Sequence, residues 1–132
     1  MKLKFAVAAF AAVSFISIVP AMADDGDPAA GKTVFNQCRA CHQVGPEAKN
    51  SVGPVLNGVF ERKAGSYEGY NYSDANKGSG LTWDEATLRE YLKNPRAKVP
   101  GTKMVFPGIA RDKQLDDVIA YLKGIKADGS GV

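Results

Sequence analysis

The stretch Cys38-Arg39-Ala40-Cys41-His42 decides how the rest of this chain is read. Two thiols separated by two residues, with a histidine directly after the second, form the attachment pattern of a c-type haem. The spacing follows from the chemistry. Each thiol adds across one vinyl group on one edge of the porphyrin, and two intervening residues in a turn of helix bring both sulfurs to that edge. The next residue then lies under the iron and offers an imidazole nitrogen as axial ligand. His42 is the only histidine among 132 residues, so no other imidazole competes for that position. The rival readings of a Cys-x-x-Cys pair are a disulfide, a redox dithiol and half of a zinc site. A structural zinc site needs four ligands, and two cysteines plus one histidine fall short. A thioredoxin-like dithiol needs a βαβ context, and none follows here.

The N-terminus supports this chemistry. Lys2 and Lys4, an apolar run over residues 5–19, Pro20 and the triplet Ala21-Met22-Ala23 read as a signal peptide over residues 1–23, cleaved after Ala23. The run is too short and wrongly flanked for a membrane span, uncleaved anchoring being the alternative. Cleavage leaves residues 24–132 as one small domain. A core of that size is marginal when built from side chains alone, and a buried macrocycle would supply the missing apolar contact. Bacteria attach c-type haem outside the cytoplasm, so a periplasmic location is expected.

The chain carries 17 Lys and Arg against 14 Asp and Glu, and two of the lysines leave with the leader. Net charge therefore says little about partners, and distribution says more. Residues 91–111 hold five basic side chains (Lys93, Arg96, Lys98, Lys103 and Arg111) and no acidic one. Such a face steers association with a negative partner even on a near-neutral protein. An ordinary solvated surface is the alternative.

Outward from the motif, Asp27-Pro28 reads as an N-cap with proline at the first helical position. Gly31, Phe35 and Cys38 then share one helix face. A glycine in a helix interior costs about 1 kcal/mol relative to alanine, so Gly31 suits the close approach of another helix or is merely tolerated. Residues 43–80 are rich in Gly, Pro, Asn and Ser, with short helical turns expected at 55–59 and 73–77. So long an irregular stretch makes sense if it wraps a cofactor. Thr82-Trp83-Asp84-Glu85 reads as a capping box opening a helix over 83–93, with Glu85 and Arg89 as an i, i+4 pair. Leu88, Tyr91 and Leu92 form its apolar face, and Asn94-Pro95 ends it. A second irregular stretch covers 95–110. The last helix starts near Asp112, buries Leu115, Val118, Ile119 and Leu122, and stops at Gly124, leaving a loose tail over 127–132. No segment alternates as a strand does. The architecture is all-α, with loops around a central ligand.

A second axial ligand must come from a loop. Met104 is the only methionine that survives cleavage, and it follows the turn-prone Pro100-Gly101-Thr102-Lys103. A thioether is a soft, neutral ligand that favours ferrous iron, and His/Met ligation raises the reduction potential. Core filling is the ordinary use of methionine. Lys103 and Lys98 are the rival ligands.

These features together resemble the class I cytochromes c, the family of mitochondrial cytochrome c and the bacterial cytochromes c2 and c550. The resemblance covers residues 31–123 and rests on CRACH, VGPVLNGVFERKAG, YNYSDANKGSGLTW, LREYLKNPRAKVPGTKMVFPGI and DVIAYLK. It implies three to five helices and long loops wrapped around one covalent haem c held by Cys38 and Cys41, with His42 and Met104 as metal ligands. It also implies a Pro54 carbonyl bonded to the His42 ring and donors to the haem propionates from Arg62, Tyr72 and Trp83. Asn76, Tyr91 and Thr102 would form a polar cluster near Met104, and Phe106 would cover the haem beside it. Gly31 and Phe35 would pack the first helix on the last, with Tyr121 opposite. Gln37 departs from the docking lysine of mitochondrial forms, and Val52 stands where threonine or serine is common.

The function so implied is one-electron transport, with no catalytic residue. A soluble, monomeric periplasmic carrier would take electrons from a bc1-type complex and pass them to a terminal oxidase of a respiratory chain or to a photosynthetic reaction centre. Membrane redox complexes would dock transiently through Lys93, Arg96, Lys98 and Lys103, with no nucleic-acid partner. The alternatives are a dedicated redox partner of a periplasmic dehydrogenase or reductase, and a haem protein with peroxidase activity.

Overall fold

Asp27 opens the first helix. Its carboxylate accepts the Ala29 amide at 2.9 Å, Pro28 takes the first helical position, and α1 runs over Pro28–Val34. The structure is a computed structural model that describes residues 25–132; the leader assigned to residues 1–23 lies outside the described residues. After Val34 the chain tightens into a 3-10 turn over Phe35–Cys38, so Cys38 closes a narrower turn than the expected α-helix.

Gly31 is explained by contact. A β-carbon there would stand 1.9 Å from the Asp117 carbonyl oxygen and 2.8 Å from Tyr121 Cβ. Both belong to α5, Asp112–Gly124. The two helices therefore meet backbone to backbone, and Phe35 lies against Tyr121 with ring centroids 5.4 Å apart. Asp117 reinforces the crossing: its buried carboxylate accepts the Asp27 amide and the Lys113 ammonium, both at 2.7 Å.

Between these helices lie α2 (Asp74–Lys77), α3 (Glu85–Lys93) and α4 (Pro95–Lys98). Ser73 caps α2 through the Asn76 amide, in line with the turn expected at 73–77, whereas residues 55–59 form no helix. The cap of α3 differs from the expected box. Asp84, not Thr82, accepts the Thr87 amide at 2.8 Å, while Thr82 bridges Lys63 in an isolated antiparallel contact. A carboxylate at the cap also meets the positive end of the helix dipole, which a hydroxyl does not. Glu85 and Arg89 do not pair along the helix. Lys123 reaches Glu85 at 2.9 Å, and Arg89 pairs with Asp112 and Asp116. Partners on the neighbouring α5 take both charges. Asn94 ends α3 and then caps α4 by accepting the Ala97 amide at 3.2 Å, so the stretch expected to be irregular begins with a helical turn. Proline at its first position needs no amide partner there.

The stripe Leu115, Val118, Ile119 and Leu122 is buried together with Leu88, Tyr91 and Leu92. The fold is all-α, and among the described residues no helix is long and apolar enough to cross a membrane. The tail is not loose. Gly129 is buried, and residues 126–130 close on themselves through Gly129 N–H to Lys126 O and Lys126 N–H to Ser130 O, both at 2.9 Å.

Candidate functional site

The loops between the helices enclose a cavity of about 330 Å³. Cys38, Cys41, His42, Pro54, Arg62, Tyr72, Asn76, Trp83, Tyr91, Thr102, Met104 and Phe106 all line it. These residues span two-thirds of the domain in sequence, and only the fold of the loops brings them to one space.

Cys38 and Cys41 are half-buried free thiols. Burial pushes the Cys38 thiol up to about 11. The His42 backbone amide donates to Cys38 O at 2.9 Å, so the motif is itself a turn of helix. His42 Nδ1 lies 2.7 Å from Pro54 O. A carbonyl accepts but cannot donate, so Nδ1 carries the proton and Nε2 keeps its lone pair for a metal. Burial holds the imidazole pKa below its ordinary value, favouring the neutral, ligating form. Gly53 makes this geometry possible: a β-carbon there would stand 2.4 Å from His42 Cε1 and 2.7 Å from Nδ1.

Met104 is held by a small polar chain. Tyr91 Oη donates to Met104 Sδ at 3.3 Å and lies 3.3 Å from Thr102 Oγ1. Thr102 Oγ1 in turn accepts the Met104 amide at 3.3 Å. Burial pushes the Tyr91 hydroxyl pKa up, so it remains a donor. The rival lysines are engaged elsewhere. Lys103 Nζ donates to Asn71 O and sits 4.5 Å over the Tyr70 ring, and Lys98 pairs with Glu90.

The residues expected at propionates behave differently from one another. Arg62 donates from each of its two terminal nitrogens, to the carbonyls of Asn57 and Val55, both at 3.1 Å, and its Nε has no partner. Arg62 Nε and Asn76 Oδ1 are buried without a partner. Tyr72 Oη accepts the Tyr67 amide at 3.1 Å and keeps its own proton to donate. The Trp83 ring lies tilted against Tyr91, with centroids 4.7 Å apart and planes at 47°. Buried polar atoms are rarely left unpaired. The Asn76 oxygen can only accept and calls for a donor, whereas an orphan guanidinium N–H in the wall of an apolar cavity fits a macrocycle that carries carboxylates. The thiol pair, the free imidazole nitrogen and the thioether fit its periphery and its metal.

Sequence reasoning missed Asn57. It is buried, accepts the Gly45 amide at 2.9 Å and donates to Gly45 O at 2.8 Å. Asn57 falls in the short helical turn expected at 55–59, and nothing in the sequence says that the amide faces inward.

A sequence profile of the cytochrome c family matches residues 28–126. The chain belongs to the cytochrome c family. It is 63% identical over 105 residues to cytochrome c2 of Rhodoblastus acidophilus, covering 80% of this chain and 98% of that protein. Cytochrome c-550 of Nitrobacter winogradskyi is 57% identical over 104 residues, covering 79% and 95%. The solved structure of cytochrome cH from Methylobacterium extorquens superposes with a TM-score of 0.70 at 58% identity, covering 74% of this chain and 98% of that one. Cytochrome c2 from Rhodospirillum centenum superposes with a TM-score of 0.73 at 42% identity, covering 76% and 99%. The similarity places this cytochrome among class I, c2-like members, and membership implies a covalently bound haem c, which the Cys38–Cys41–His42 motif fits.

Proposed function

We propose that this cytochrome is a soluble periplasmic one-electron carrier whose haem iron is ligated by His42 Nε2 and Met104 Sδ. The observation that carries the proposal is a pair of supporting contacts: Pro54 O at 2.7 Å from His42 Nδ1, and Tyr91 Oη at 3.3 Å from Met104 Sδ. Each prospective ligand is oriented by a neighbour that bonds the atom or ring position behind it. When bound, the haem supplies reversible exchange between ferrous and ferric iron, and the Met thioether favours the ferrous form. Pro54 keeps the Nδ1 proton in place and strengthens Nε2 as a donor. Tyr91 draws electron density from the sulfur. Arg62 Nε, Tyr72 Oη and the Trp83 indole offer donors to propionates; Asn76 and Phe106 line the same cavity, though Asn76 makes no bond to the Tyr91–Thr102–Met104 chain. With His42 and Met104 both holding the iron, oxygen and peroxide would find no open site, which favours electron transfer as the chemistry.

Electrons cross where the cavity meets solvent. Val52 and Val105 both line it and are 69% and 85% exposed, an apolar contact centre for a docking partner. Of the cations proposed to guide docking, Lys93 lies 3.5 Å from Asp112, Lys98 pairs with Glu90, and Lys103 donates to Asn71 O. Arg96 alone of the four has no partner among the described residues. Docking by this monomeric carrier to a bc1-type donor and to an oxidase or reaction-centre acceptor is thus small and brief, with a modest Coulombic share.

Three measurements on haem-loaded protein test the proposal. A ferric spectrum with a weak far-red sulfur-to-iron band and a ferrous form slow to bind carbon monoxide are expected. Rapid carbon monoxide binding would overturn the closed-site reading. Transfer rates to a membrane redox complex should fall with ionic strength, and a rate indifferent to salt removes electrostatic guidance.

A further inference from the structure

We infer that the C-terminal tail, residues 125–132, is a clamp that positions His42 by locking the loop running from His42 to Gly58; the inference rests on His42 being the iron ligand. No helix or strand stiffens that loop. Its shape depends on a few fixed points, and the tail supplies two of them. At one end, Ile125 is buried and its carbonyl accepts the Gly58 amide at 3.2 Å. At the other, Gly129 packs backbone to backbone on Gly45. Gly129 is at φ +82, and a β-carbon there would stand 2.2 Å from the Gly45 carbonyl carbon and 2.5 Å from Pro46 N. Gly45 is also held by two bonds from Asn57. Gly45 is therefore fixed twice, by Asn57 and by the tail.

The tail is built to hold this position. Asp128 accepts from both the amide and the hydroxyl of Ser130, at 2.9 and 2.7 Å. A β-carbon on Gly131 would meet Gly124 O at 2.1 Å, so the last turn sits directly on the end of α5. Val132 completes a groove that His42 also lines.

Inside this frame, Gly53 N–H donates to Cys41 O at 2.8 Å and Leu56 N–H to Gln43 O at 3.1 Å. Those bonds place Pro54 O at the His42 ring. A loop without regular structure opens locally at low free energy unless something covers it. The strength of the Pro54 bond sets how much charge the imidazole can donate. The tail thereby acts on the metal from a distance, as a positioning element.

The test uses haem-loaded Gly129→Ala and wild type. Amide exchange at Gly45 and Leu56 should speed up roughly five- to thirtyfold, as expected for losing one packing contact, while Val118 in α5 is unchanged. The reduction potential should move in the positive direction, because a weaker Pro54 bond makes a poorer donor to ferric iron. The His42 ring resonances should shift with it. Unchanged Gly45 exchange together with an unchanged potential overturns the clamp. If Gly129→Ala yields no folded protein, Asp128→Ala, which loosens the tail without adding bulk, decides on the same readouts. Wild-type protein lacking iron-shifted His42 resonances would overturn the ligand assignment itself, a failure distinct from that of the clamp.

Discussion

Gly53→Ala separates two opposed physical effects at one site. Gly53 is not in the left-handed backbone region, so an added methyl would ordinarily stabilise by about 0.4–1 kcal/mol through the unfolded chain. Here the β-carbon would stand 2.4, 2.7 and 2.9 Å from Cε1, Nδ1 and Nε2 of His42. Carbon atoms prefer about 3.5–4.0 Å, so the ring must retreat by about 1 Å or more. It has no slack for this, because Nδ1 is bonded to Pro54 O at 2.7 Å. Such a shift takes that bond beyond hydrogen-bonding range. Overpacking costs about 1–3 kcal/mol, and the lost bond costs about 0.5–1.5 kcal/mol more. After the entropic gain, the variant should be destabilised by about 2 kcal/mol, which for a domain near 100 residues lowers Tm by roughly 10 °C. Thermal unfolding of the ferric holoprotein, followed by circular dichroism, reads this directly. A Tm equal to or above wild type would refute the steric argument and with it the packing of Gly53 under the imidazole.

Gly31→Ala should behave alike despite the better helix former, since its β-carbon meets Asp117 O at 1.9 Å; a loss of about 1–3 kcal/mol in urea unfolding is expected. Tyr91→Phe removes the donor to Met104 Sδ; under the proposed ligation the sulfur would then donate more strongly to ferric iron, and the reduction potential in voltammetry should fall. Asp117 is held below the usual carboxylate range by the Lys113 ammonium and then by the Asp27 amide. A depressed carboxylate contributes stability that is present above the ordinary range and lost as pH falls through its folded value. Asp117→Asn should therefore lower Tm near neutrality and make little difference in strong acid, where the native carboxyl is already protonated.

Much of the site was legible because covalent chemistry leaves rigid spacing in the chain. Cys38, Cys41 and His42 must be neighbours in sequence to serve one macrocycle edge, so their pattern survives without any fold. The helix stripes were legible for a similar reason: Leu115, Val118, Ile119 and Leu122 repeat with the helical period and are all buried. Local signals failed where two candidates lay close together. Thr82 and Asp84 both suit a cap, and the bridge of Thr82 to Lys63 left the role to Asp84. Charge pairing failed for a different reason. Glu85 and Arg89 are correctly spaced along α3, yet α5 offers Lys123, Asp112 and Asp116 across a packed interface. The basic run over 91–111 has no acid within it, but Glu90 and Asp112 stand at its borders and tie two of its lysines.

By itself the sequence determined the haem motif, the all-α class, the positions of the main helices and the methionine that faces the same cavity. Each of these is written in short-range spacing or in the scarcity of a residue type. Only the tertiary structure decided that Gly31 and Gly53 are sites of contact, that Asn57 and the tail both hold Gly45, and that Lys93, Lys98 and Lys103 are already engaged within the molecule. Those outcomes depend on which distant backbones touch, and a glycine or an asparagine looks the same in the chain whether a turn, a helix or a ligand-bearing loop comes to rest against it.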